Sequence, residues 1–79
     1  MNEFYLLTKD DCGLCKVAIT QLYQTQLDEP ISLHMVDITQ DPALLLEYGA
    51  IVPVLVRAHD DAELKWPFEA EKLKDFLTA

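Results

Sequence analysis

The feature that most constrains the fold of this chain is a Cys12-x-x-Cys15 pair at a change of hydrophobic period. Before the pair, residues 4–7 form an apolar run of strand length that is closed by a polar cluster. From Cys15 onward, apolar residues recur at the spacing of a helix. The pattern therefore predicts a buried strand, then the cysteines, then a helix over about 13–26.

The middle of the chain has a second set of strand and helix signals. Residues 31–36 alternate apolar and polar side chains, which predicts a strand. Asp41 and Pro42 are typical of a helix start, because Asp caps free amides and Pro suits the first turn. Gly49 predicts a left-handed residue at the end of this helix. The three leucines at 44–46 predict a buried helix face.

The last third predicts two strands and a helix. Residues 51–56 form the third strand, with a proline near its beginning, and a turn leads to a short fourth strand over 62–66. After Pro67 comes a helix with an apolar stripe. The residues expected in that stripe are Ala70, Leu73, Phe76 and Leu77. The order β-α-β-α-β-β-α predicts an α/β domain with a four-stranded mixed sheet flanked by three helices.

Length and composition limit the chain to one domain over residues 1–79. Domains rarely fall below about 50 residues, so there is no room for two. The chain is 51% hydrophobic and has only two glycines, which separates it from disordered sequences.

Charge excludes some classes of partner. The net charge is −8, and the six basic residues form no stripe, so we expect neither nucleic-acid nor membrane binding. The amino terminus has no basic segment followed by a long apolar run, so we expect no signal peptide and a cytoplasmic protein. In a reducing cytosol, closely spaced cysteines are more often catalytic or metal-binding than structural.

The spacing of the two cysteines suits disulfide chemistry. Positions i and i+3 on a helix share a face, which brings the sulfurs close enough to bond. Free amides and the helix dipole favour the thiolate of Cys12, and thiolate is the species that attacks a disulfide. Cys15 lies on the apolar stripe. We therefore interpret Cys12 as the nucleophile and Cys15 as the resolving cysteine.

Two other interpretations of the pair remain open. A zinc site usually needs four ligands, and only His34 and His59, which form no pair, could add to the cysteines, so we predict no metal site. The cysteines could also be ordinary core residues. Both histidines are interpreted as structural or solvated, and Trp66 and Phe68 as core residues or flanks of the redox site.

Two motifs together resemble those of a known family. Lys9-x-x-Cys12-x-x-Cys15, followed by residues 51–53 (Ile-Val-Pro), resembles a glutaredoxin of the thioredoxin superfamily. The match is closer to the small bacterial glutaredoxin-like proteins with C-G-L-C and a late W-P-F segment. The resemblance covers essentially the whole chain and implies the thioredoxin fold.

The resemblance also implies a binding surface beside the cysteines. It implies that Pro53 follows a cis peptide bond and lies against the dithiol, and that the backbone of Val52 pairs with the substrate chain. The residues expected to contact substrate are Lys9, Gly13, Leu14, Val52 and Pro53.

One departure from the family pattern bears on glutathione. Glutathione-using glutaredoxins carry Pro and an aromatic between the cysteines and a later Gly-Gly pair, whereas this chain has Gly13-Leu14 and bulky residues at 62–68. Bulky side chains obstruct close approach of a ligand to the backbone. We therefore expect no bound cofactor, and the pattern argues against glutathione, although it remains one candidate reductant.

The sequence favours a monomeric thiol–disulfide oxidoreductase that acts on a disulfide-containing protein or small molecule. A thioredoxin- or glutathione-type reductant would restore its dithiol. Two alternatives stay open: a non-enzymatic metal or iron–sulfur carrier, and a thioredoxin-fold interaction module whose dithiol is incidental.

Overall fold

The computed structural model describes residues 3–79, so the first two residues of the amino-terminal segment interpreted above lie outside it. The elements follow the predicted order. They are β1 (Glu3–Thr8), α1 (Gly13–Gln24), β2 (Ser32–Asp37), a short 3-10 turn (Ile38–Gln40), α2 (Pro42–Tyr48), β3 (Val54–Arg57), β4 (Glu63–Lys65) and α3 (Ala70–Thr78).

The strands form one mixed sheet in the order β2-β1-β3-β4. β1 is parallel to β2 and antiparallel to β3, which in turn is antiparallel to β4. A parallel pair needs a crossover, and α1 supplies it between β1 and β2. The mixed four-stranded sheet with three helices confirms the predicted fold class.

The two faces of the sheet carry different apolar clusters, because successive strand residues point to opposite faces. The large cluster joins the sheet to α1 and α3. Its buried members are Phe4, Leu6, Ala18, Leu22, Leu55, Phe68, Leu73 and Leu77. The small cluster lies on the side of α2. Its buried members are Leu7, Cys15, Ile38, Val52 and Val54.

The helix α2 differs most from expectation. The three leucines at 44–46 do not form a buried face: Leu44 is half-buried, and Leu46 is 90% exposed. Consecutive helical residues point about 100° apart, so a run of three cannot face one surface. No residue of α2 is buried.

Gly49 follows α2 without the predicted left-handed conformation. Its φ of −55° and ψ of −32° continue the right-handed helical geometry. A Cβ atom on this glycine would stand 2.5 Å from the carbonyl oxygen of Leu45. Glycine is therefore required here by close approach of backbone and not by a positive φ.

Two smaller expectations, on the third strand and on the last helix, also need correction. The third strand begins at Val54, after the proline, and Ile51 lies exposed in the preceding turn. Ala70 is exposed because it is the first residue of α3, whereas Leu73 and Leu77 form the buried stripe with Phe76 half-buried. None of the helices in residues 3–79 combines the length and hydrophobicity that a bilayer crossing requires.

Candidate functional site

The two cysteines meet where β1 gives way to α1. Cys12 and Cys15 are joined by a disulfide bond, with their Cα atoms 5.2 Å apart. Cys12 is the N-cap residue of α1, in an extended conformation with φ −100° and ψ 98°. Cys15 lies in the first turn of that helix, as the spacing of the motif predicted.

The sulfur of Cys12 also acts as a helix cap. It accepts a hydrogen bond from the backbone amide of Cys15 at 3.1 Å, which satisfies one of the free donors of the helix end. Asp11, just before it, has a positive φ of 58°, a conformation that aspartate tolerates better than most residues. The chain thereby turns sharply from β1 into α1 and places Cys12 at the amino end of the helix.

The two sulfurs differ in exposure. Cys15 is only 3% exposed and belongs to the small cluster, whereas Cys12 is half-buried and packs against the edge of that cluster. A reagent of molecular size therefore reaches Cys12 more readily than Cys15.

Val52 and Pro53 are both buried. Val52 is a member of the small cluster together with Cys15, so the structure brings these two predicted site residues together. Pro53 is fully buried, and the peptide bond between Val52 and Pro53 is cis. The bond between Trp66 and Pro67 is also cis.

The backbone amide of Val52 already has a partner. It donates to the carbonyl oxygen of Tyr48 at 3.0 Å, and the amide of Ile51 donates to the same oxygen at 2.9 Å. The last residue of α2 thus accepts two hydrogen bonds from the segment that leads to Pro53. Nothing in the sequence signalled this role of Tyr48.

Lys9 lies between β1 and the cysteines, but its ammonium group is directed toward α2. Its Nζ atom donates a hydrogen bond to the carbonyl oxygen of Gly49 at 2.6 Å in a partly buried position. The structure therefore joins Lys9 to the turn before Val52. This partner is forty residues away in the chain, and no local pattern could have predicted it.

Gly13 and Leu14, between the cysteines, are both exposed. A Cβ atom on Gly13 would meet nothing within 4 Å, so the space beside it is open. Leu14 is 50% exposed, and Val17, one turn further along the same face of α1, is 53% exposed. An apolar surface therefore adjoins the disulfide on α1.

A second polar link ties α2 to the sheet. The hydroxyl of Tyr48 donates to the carboxylate of Glu63 on β4 at 2.5 Å. This hydrogen bond, aided by partial burial and by the negative charge of Glu63, raises the pKa of Tyr48 to about 12.

The remaining candidate residues lie away from the disulfide or at the surface. Trp66 and Phe68 pack edge to face, with ring centroids 5.2 Å apart. Phe68 is a buried member of the large cluster, and the half-buried Trp66 packs against that cluster. His34 is exposed, stacks on Tyr5 and contacts Glu3, and His59 is exposed in the turn after β3. In the part of the chain that the structure describes, no three His, Cys, Asp or Glu side chains converge on a metal position.

The sheet, the helices and a cysteine pair at the start of α1 together define a glutaredoxin-like member of the thioredoxin-fold class. The model of the glutaredoxin-like domain (DUF836) matches residues 3–78. The chain belongs to this family, because the match spans nearly its whole length.

Several solved structures share the fold of this chain. Target protein XcR50 from X. campestris is 37% identical, with a TM-score of 0.79, and the match covers 95% of each chain. Protein Ne2328 from Nitrosomonas europaea is 23% identical, with a TM-score of 0.80 over 96% of this chain and 91% of that one. A mutant thioredoxin from Halobacterium salinarum NRC-1 is 22% identical, with a TM-score of 0.70, and the match covers 96% of this chain and 71% of that one.

The similarity to the last two structures, at 23% and 22% identity, shows only that the fold is shared. Among curated proteins, none matches the chain.

Proposed function

We propose that the protein is a thiol–disulfide oxidoreductase in which Cys12 is the nucleophile and Cys15 the resolving cysteine. One observation carries this proposal: the two cysteines are bonded to each other, yet only Cys12 reaches the surface, while Cys15 is 3% exposed. Such an arrangement lets a substrate sulfur meet one cysteine while the other is shielded from it.

The reaction has two exchange steps. The Cys12 thiolate attacks one sulfur of a substrate disulfide, which forms a mixed disulfide and releases the other substrate sulfur as a thiolate. The Cys15 thiolate then attacks the Cys12 sulfur, which closes the internal disulfide and releases the second substrate thiolate. Two electrons pass from the protein dithiol to the substrate, and each released thiolate takes up a proton from water.

The amino end of α1 supports the first step. Its free amides and the positive end of the helix dipole stabilise negative charge on Cys12, and thiolate is the attacking species. The amide of Cys15, which donates to the Cys12 sulfur at 3.1 Å, is one such donor. The exposed Leu14 and Val17 offer apolar contact to a substrate beside the sulfur.

The proposed substrates are disulfides in proteins or small molecules. An external thiol of the thioredoxin or glutathione type would reduce the Cys12–Cys15 bond by the reverse exchange and supply the two electrons. We further propose that the protein works as a monomer in the cytoplasm, without nucleic acid or membrane partners. The net charge of −8 supports the last point. Val52, a member of the small cluster, and the adjoining Pro53 are the proposed substrate contact. Because the Val52 amide already donates to Tyr48, we propose that the Val52 carbonyl oxygen is the backbone group that pairs with the substrate.

Two cysteine variants test the proposal. With a model protein disulfide and dithiothreitol as reductant, we expect Cys12→Ser to abolish turnover, because the remaining cysteine, Cys15, is only 3% exposed and is shielded from the substrate. In the absence of dithiothreitol, the mixed disulfide of pre-reduced Cys15→Ser cannot be resolved internally, and intact-mass spectrometry should detect substrate bound through Cys12. Circular dichroism of both reduced variants serves as the control for folding.

Retention of wild-type turnover by Cys12→Ser would exclude the mechanism. A redox titration of the Cys12–Cys15 pair against glutathione and thioredoxin buffers in parallel then separates a redox enzyme from an interaction module. A pair that forms no disulfide even at the most oxidising end of both titrations would identify the module instead.

A further inference from the structure

The hydrogen bond from Lys9 to Gly49 joins the two segments that form the candidate site. Lys9 follows β1 and precedes Cys12 by three residues, and Gly49 follows α2 and precedes Val52 by three residues. The ammonium Nζ lies 2.6 Å from the Gly49 carbonyl oxygen and is partly buried. A single charged hydrogen bond thus connects the loop of the cysteines to the loop of Val52 and Pro53.

A cation near the carboxyl end of α2 stabilises the helix. The last carbonyl groups of a helix lack partners within the helix and carry partial negative charge, which favours a nearby cation. The last turn of α2 contains no basic residue. Lys9 supplies the positive charge from another element of the fold.

Burial holds α2 in place less firmly than α1. The helix has no fully buried residue and packs against the small cluster through the half-buried Leu44 and Tyr48, so its position depends more on polar links than the position of α1 does. The turn that Lys9 contacts continues directly into the two amides bonded to the Tyr48 carbonyl, those of Ile51 and Val52. A displacement of Gly49 is therefore transmitted to Val52, which packs in the same cluster as Cys15.

We propose that Lys9 is a positioning residue: its ammonium holds the turn after α2, and with it the Val52–Pro53 segment, beside the disulfide. A different role for Lys9 would be to bind an anionic group of the substrate. For that role, its ammonium group would have to break the hydrogen bond to Gly49. The kinetic part of its test depends on the proposed oxidoreductase function, and the structural part does not.

The kinetic test compares two small disulfides, anionic dithiodipropionate and neutral hydroxyethyl disulfide. We expect Lys9→Met to lower kcat/KM by about 10- to 100-fold for both, and by the same factor, because misplacement of the site affects every substrate. Lys9→Arg should recover most of the loss, since it keeps the cation. Lys74→Met removes the same charge from an exposed position on α3 and should leave both rates unchanged.

The structural test is amide hydrogen exchange of the reduced protein, followed by NMR. In Lys9→Met, we expect the amides of Ile51 and Val52 to exchange about tenfold faster, because the turn that binds them is released. The amide of Leu55, in β3, should keep its rate. Lys9→Arg and Lys74→Met should both behave like the wild type.

Two results would overturn the proposal. One is a kinetic loss confined to the anionic disulfide, which would assign Lys9 to substrate binding. The other is unchanged exchange at Ile51 and Val52 in Lys9→Met. If the wild-type protein reduced neither disulfide, the proposed function would fail, and hydrogen exchange alone would still decide the role of Lys9.

Discussion

The two faces of the sheet are stabilised in different ways. On the face of α1 and α3, long apolar side chains interlock in the large cluster, and helix residues such as Leu73 and Leu77 are almost fully buried. On the face of α2, the small cluster contains Cys15 of the disulfide, and the helix above it contributes only half-buried side chains. There, caps and hydrogen bonds from Asp41, Lys9 and Tyr48 fix the helix.

This difference separates the residues that supply most of the stability from the residues that surround the candidate site. Apolar burial is the dominant favourable contribution to folding, so the large cluster supplies most of the stability. The polar links around α2 contribute less, but they lie next to Val52 and the cysteines. Substitutions on the first face should therefore unfold the protein, and substitutions on the second face should mainly disturb the site.

The largest expected effect compares two leucines. Leu73→Ala, at a fully buried position of α3, should lower the free energy of unfolding by about 2–5 kcal/mol. Leu46→Ala, at a position of α2 that is 90% exposed, should change it by no more than about 0.5 kcal/mol. Urea denaturation of the oxidised proteins measures both. Equal losses would show that α2 is packed as firmly as α3.

The next largest change in the free energy of unfolding is expected for substitutions of Gly49. Gly49→Ala should cost about 1–3 kcal/mol, because a Cβ atom would stand 2.5 Å from the Leu45 carbonyl oxygen and the backbone would have to shift. Gly49→Asn should be at least as damaging, since the clash concerns the Cβ atom. A left-handed residue would tolerate asparagine, so a stable Gly49→Asn protein would favour the sequence-based prediction over the observed geometry.

The N-cap of α2 should have a smaller effect. The Asp41 carboxylate accepts hydrogen bonds from the amides of Ala43 and Leu44 at 3.0 and 3.5 Å. Asp41→Ala removes this acceptor and should cost about 1 kcal/mol, whereas Asp41→Ser should retain most of it. Thermal denaturation measures the loss. An alanine variant as stable as the serine variant would mean that the cap does not hold α2.

The smallest expected effect concerns Tyr48 and depends on pH. Tyr48→Phe removes the hydrogen bond to Glu63 and should cost about 0.5 kcal/mol at pH 8, because the pair is exposed to solvent. The bond raises the pKa of Tyr48 from its ordinary 10.0 to about 12. A raised pKa means that the contribution is complete below pH 10 and is lost as the pH rises toward 12.

Tyrosinate absorbance tests the same contact directly. We expect Tyr48→Phe to remove the titration step near pH 12, and Glu63→Gln to move that step toward 10, since it removes the negative acceptor that disfavours ionisation. A step near 12 that survives in Tyr48→Phe would belong to another group and would contradict the assignment.

Local patterns in the sequence predicted the elements and the start of the site. The change of period at Cys15 located α1, and the pair Asp41-Pro42 located the beginning of α2, because caps and first turns depend on neighbouring residues. The position of Cys12 at the start of α1 could also be predicted locally, because the residue lies between the end of the apolar strand and the first residues with helical spacing.

The failures concern contacts that no local pattern encodes. The leucines at 44–46 looked buried because hydrophobicity alone does not say which face of a short helix meets the sheet. The partners of Lys9 and Val52 are backbone carbonyl groups, and every residue has one, so residue types carry no signal for them. For the same reason, the role of Tyr48 in holding the turn before Pro53 could not be predicted.

The position of Trp66 has a practical consequence for work in solution. It is the only tryptophan in the chain, and it packs beside Phe68 against the large cluster, while Cys15 of the disulfide belongs to the small one. Its intrinsic fluorescence should therefore report global unfolding faithfully and respond little to oxidation of the cysteines. Stability can then be compared between the two redox states with one optical signal that does not itself depend on the redox state.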